Sequence, residues 1–146
     1  MRMRLLSAWL WTATILIVCW TPDIYLPVRE RRGSLLEQVH LDKVVHLGIF
    51  GVFAVLWLRA LPLLPQRFLR IGLAGAALAA ITEIVQNLPV VHRDGEFSDW
   101  VADVLGLPLA MALFYCLEWH LPAWITGRPL SQVSEQEASA LEESTL

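Results

Sequence analysis

The chain has 146 residues, of which 56% are hydrophobic and 17% charged, with mean hydropathy +0.54; that balance excludes an ordinary water-soluble domain and indicates a small polytopic membrane protein. Net charge is −3, and the acidity collects in Glu135, Glu137, Glu142 and Glu143 near the C-terminus. There is no basic block, which excludes nucleic acid as a partner.

Stretches of about 20 predominantly apolar residues, enough to cross a bilayer core, are predicted at 5–21, 44–64, 71–91 and 101–121. The expected fold is all-α: an antiparallel bundle of four transmembrane helices over residues 1–126, followed by a disordered acidic tail over 127–146 that has too little apolar surface to order itself. Arg2 and Arg4 precede the first span in the manner of a signal peptide. However, no small-x-small cleavage site follows, and Val18 stands before Cys19 where a lipoprotein site needs a small residue, so the span is read as uncleaved and ended by Pro22. Cys19 and Cys116 fall in opposite leaflets, too far apart for a disulfide.

Between the first two spans lie Arg29, Arg31 and Arg32, then Ser34-Leu35-Leu36-Glu37, a capping-box pattern that predicts a short interfacial helix leading into span two. Span three carries Gly72, Gly75, Ala76 and Ala79, small residues that let helix backbones approach closely, and is expected at the centre of the bundle. Arg2 and Arg4 before span one, with Arg67 and Arg70 beside the Pro62/Pro65 turn, place both termini in the cytoplasm by the positive-inside rule. The expected location is the bacterial inner membrane.

The residues that need explaining are polar. Glu83 and Gln86 lie on one face of span three, inside an apolar run, and a carboxylate at that depth is a functional-site hypothesis by default. Asp42, Lys43 and His46 begin span two, Arg93 precedes span four, and Asp99 and Asp103, four residues apart, share a face at its start. An antiparallel bundle brings all eight to one leaflet. Taken singly, Lys43 can snorkel, Asp42 can cap a helix and Asp99 can answer a helix dipole. Glu83 lies too deep for such explanations, and a purely structural polar network would be a costly use of it.

These residues resemble the VanZ-like family of small bacterial membrane proteins. The pattern Lys-x-x-His with a following Phe appears as Lys43, His46 and Phe50; Glu-x-x-Gln, an Arg and Asp-x-x-x-Asn-x-x-Gly appear as Glu83, Gln86, Arg93, Asp99, Asp103 and Gly106. Asp103 stands where the family more often has Asn, and Ala110 where a second Gly is usual. The resemblance implies a cell-envelope protein, with a link to resistance to the glycopeptide teicoplanin, and no defined reaction.

The leading expectation is a protein that binds or moves an anionic lipid headgroup or lipid-linked envelope intermediate, with Lys43 and Arg93 as phosphate partners. No cofactor and no metal are expected, since no HExxH-type spacing is present. One alternative is a membrane enzyme using Glu83, Asp103 and His46 as acid-base groups or metal ligands; the lack of a convincing Ser or Cys nucleophile, Ser98 lying in a connection, tells against it. The other is a structural subunit of a membrane complex, or a homo-oligomer, that docks through the small-residue face of span three.

Overall fold

The computed structural model describes residues 2–21, 35–89, 97–118 and 120–127. Ser34 and the arginines at 29, 31 and 32, together with Arg93 and the acidic tail beyond residue 127, lie outside the described residues, as does the side chain of Asp42. The described residues form α1 (Arg2–Trp20), α2 (Leu35–Ala60), α3 (Arg67–Gln86), α4 (Phe97–Glu118) and a single turn, α5 (Ala123–Thr126). They include no strand, and the first four helices are each long and apolar enough to cross a membrane. The chain is an all-α, multi-pass membrane protein.

Proline and polar chemistry set the helix limits. Pro62 and Pro65 follow α2 and cannot continue it; the chain turns through Leu61 to Leu64 and restarts at Arg67, four residues before the sequence-predicted span. α3 stops at Gln86 rather than 91, because Leu88 precedes Pro89 and is steered away from helical geometry. α2 is one continuous helix of 26 residues with no break after an interfacial segment. At 1.5 Å per residue it is about 39 Å long, so its first turns extend past a hydrocarbon core of about 30 Å, and the membrane-length part begins at Lys43.

The ends of the helices show the antiparallel order. The Arg4 guanidinium donates to the carbonyl of Trp124, tying the start of α1 to α5, and Arg67 at the start of α3 meets Glu118 at the end of α4. At the other end Gln86 donates to the carbonyl of Cys19. α2 packs against α1, α3 and α4, most extensively against α4. The core runs along this pair: Phe50, Ala54 and Leu58 of α2 meet Leu107, Met111 and Phe114 of α4, with Ile15 of α1 and Ile71 and Ala79 of α3 closing it. Gly106 makes the close approach possible, since a Cβ there would lie 2.2 Å from the carbonyl oxygen of Leu47.

The small-residue face of α3 is used inside the chain, where a Cβ on Gly75 would run into Leu107 and Phe53. The closest backbone seam is nonetheless between α2 and α4, so the expectation of a central span three gives way to a bundle centred on α2. Two indoles dock α1, Trp11 donating to the carbonyl of Ile49 and Trp57 to the hydroxyl of Thr12. Ile17, Leu73, Ile84, Leu109 and Leu113 stay exposed on the perimeter, as expected of a surface that faces lipid and not water.

Candidate functional site

The antiparallel order collects the start of α2, the end of α3 and the start of α4 at one end of the bundle. Lys43 and His46 are one turn apart on α2, and Asp99 and Asp103 one turn apart on α4, so each pair shares a face. Because α2 and α4 lie so close, the two faces interlock. The Lys43 ammonium pairs with Asp99 Oδ1. His46 Nδ1 lies 3.0 Å from Asp103 Oδ1, and its Nε2 is 3.7 Å from Asp99 Oδ2. Glu83 reaches in from α3: one donor atom from each of His46, Glu83 and Asp103 falls within 4.8 Å of the others.

Burial makes these groups expensive to charge. Asp103 is 1% exposed and Glu83 9%, while Lys43 and His46 keep partial exposure. The four acids and bases on α2 and α4 have protein partners. Glu83 Oε1 and Asp103 Oδ2 are buried and have no hydrogen-bond partner among the described residues. A buried acceptor left unmatched forfeits its hydration, about 1–3 kcal/mol for a neutral group and more for a carboxylate. Glu83 also sits in the last turn of its helix, where the macrodipole opposes negative charge. By contrast Asp99 occupies the first turn of α4, where the dipole favours it.

Of the residues singled out in the sequence, the structure brings Lys43, His46, Glu83, Asp99 and Asp103 together. Gln86 does not join them: its side chain is turned to α1, where it donates to the carbonyl of Cys19 near the end of that helix. Asp42 and Arg93 cannot be placed in the cluster, because the side chain of the one and the whole of the other lie outside the described residues.

A second charged pair escaped the sequence reading. Glu118 is 4% exposed and accepts from Arg67 Nη2 at 2.6 Å through both of its carboxylate oxygens. The signal was available in principle: one charge of each sign closes the same end of two adjacent apolar spans. This pair satisfies itself and locks α3 to α4, which is what a structural ion pair looks like beside the unmatched oxygens of the other cluster. Comparison of the chain with protein-family models, with curated proteins and with solved structures finds no match in any of the three.

Proposed function

We propose that this is a VanZ-like protein of the bacterial inner membrane, with both termini cytoplasmic, that binds the polar head of an anionic lipid or lipid-linked envelope intermediate at the Lys43/His46/Glu83/Asp99/Asp103 cluster. One observation carries this reading: three helices deliver five ionisable side chains to one end of an apolar bundle, and two buried carboxylate oxygens there have no donor among the described residues, acceptors that hydroxyl or amine groups of a polar head can meet. A network whose role is to hold helices together closes on itself, as Arg67 and Glu118 do. This one is left open to something else. The site lies at the end of the bundle where the membrane-length part of α2 begins and α3 stops, which suits a head at the edge of the hydrocarbon. Lys43 stands on its rim, and Arg93, in the segment preceding α4, is a second candidate cation for a phosphate. A link to glycopeptide resistance would follow if the head belongs to an envelope precursor.

Native mass spectrometry of the detergent-purified protein tests the reading. A phosphate-bearing lipid should remain bound to the wild type and be lost from Lys43→Ala and Glu83→Ala, while Arg67→Lys at the opposite end retains it. Lipid retention that is unchanged in both cluster variants would refute it.

A second reading, a membrane-embedded enzyme, is favoured by the His46–Asp103 contact, because a carboxylate that orients an imidazole is a recurrent acid-base device. Turnover of the retained lipid, abolished by His46→Gln, would move the assignment there. For the structural-subunit reading, Gly75 and Ala79 of α3 are buried within the chain, while Gly72 and Ala76 are only partly buried.

A further inference from the structure

The unmatched oxygens belong to two carboxylates that already share a neighbourhood with an imidazole. Donor atoms of His46, Glu83 and Asp103 lie within 4.8 Å of one another. Three ligands bonded to one ion at about 2.1 Å sit about 3.0–3.4 Å apart at octahedral or tetrahedral angles, so a side-chain movement on the order of 1–2 Å, within the reach of the flexible Glu83, closes the set. The 3.0 Å between His46 Nδ1 and Asp103 Oδ1 already lies close to the roughly 3.0–3.4 Å between neighbouring ligands at octahedral or tetrahedral angles around such an ion.

Charge points the same way. Lys43 is paired with Asp99, and among the described residues Glu83 and Asp103 are two further carboxylates beside an imidazole in an apolar bundle. A dication balances two carboxylates where a monovalent partner does not. It also gives a partner to Glu83 Oε1, which has none among the described residues, and a positive charge beside the equally unmatched Asp103 Oδ2. The surroundings then resemble an outer shell. If Nδ1 of His46 binds the ion, its Nε2–H faces Asp99 Oδ2 at 3.7 Å, and Asp99 is in turn held by Lys43. A carboxylate behind the imidazole is how proteins fix the tautomer and raise the basicity of a metal-binding histidine.

We propose that His46, Glu83 and Asp103 bind one divalent first-row metal ion inside the helix bundle. One imidazole nitrogen with carboxylate oxygens and no thiolate suits Zn2+ or Mn2+ and disfavours the softer Cu(I). Three protein ligands leave a coordination position for water or for an anionic oxygen. A phosphate-bearing head would fit that position, but the metal site stands without the lipid reading.

The test uses the full chain, purified in detergent and stripped with a chelator, then titrated separately with Zn2+ and with Mn2+. One equivalent of at least one of the two should bind, and the unfolding temperature should rise with its concentration. Glu83→Gln and Asp103→Asn keep side-chain shape, and each should weaken binding at least tenfold, whereas the exposed His120→Gln should not. X-ray absorption of the wild type loaded with Zn2+ should report one imidazole and otherwise oxygen, a result that does not depend on any variant folding. Failure of both ions to bind at roughly 100 μM and to raise the unfolding temperature overturns the proposal, as does binding unaffected by either substitution in a folded variant, or a spectrum with sulfur or several imidazoles. Lipid retained on the same preparations is read independently by mass, so the two readings fail separately.

Discussion

Replacing Gly106 with Ala adds a single methyl group at the seam between α2 and α4. That carbon would lie 2.2 Å from the Leu47 carbonyl oxygen and 3.0 Å from its carbonyl carbon and Cα. A carbon and an oxygen in contact stand about 3.3 Å apart, so the helices must separate by about 1 Å. The obstacle is backbone, which cannot rotate away as a side chain can. Overpacking of this kind costs about 1–3 kcal/mol, and the upper value is expected here because Phe50, Ala54 and Leu58 all rest on the same seam. Alanine's better helix propensity returns about 1 kcal/mol, leaving a net loss of about 2 kcal/mol. At 2–4 °C per kcal/mol, the unfolding temperature falls by about 4–8 °C. Leu47 follows His46 directly, so the same displacement pulls His46 from Asp103 and Lys43 from Asp99, and metal binding should weaken with stability. Gly48→Ala is the internal control: a Cβ there meets nothing within 4 Å, so it should be neutral or stabilising by up to about 1 kcal/mol. Tryptophan-fluorescence melting of the purified proteins reads both variants. A Gly106→Ala protein that melts with the wild type, or no earlier than Gly48→Ala, would refute the close-seam argument.

A double-mutant cycle between Lys43→Ala and Asp99→Ala should show a coupling of about 1–3 kcal/mol, larger than the cycle between Lys43→Ala and Glu83→Ala, because Lys43 is paired with Asp99; additive effects in the first cycle would contradict that pairing. At the opposite end, Arg67→Ala or Glu118→Ala alone should destabilise by about 3–5 kcal/mol by stranding a buried charge, whereas Arg67→Met with Glu118→Leu should cost much less than the sum. Thermal melts of the three variants check this, and equal losses for the double variant and the summed singles would show that the pair acts as two independent residues.

The sequence alone determined the class and the number of spans. Crossing a bilayer takes about 20 apolar residues in a row, a one-dimensional property that hydropathy reads directly, and prolines mark where such runs must break. It also singled out Glu83 and Asp103, since carboxylates inside apolar helices are costly wherever they point. Helix order was enough to bring Lys43, His46, Glu83, Asp99 and Asp103 to one end. Their partners were beyond its reach: Lys43 meets Asp99, Gln86 serves α1, and Arg67 finds Glu118. The proposed metal triad is equally absent from any local spacing, because each of its members comes from a different helix. Contacts of that kind depend on how far each helix is rotated about its axis and how closely two backbones approach. Here those are decided by tertiary packing at places such as Gly106 against Leu47, where the missing side chain of one residue lets a second helix come near enough for its charges to meet.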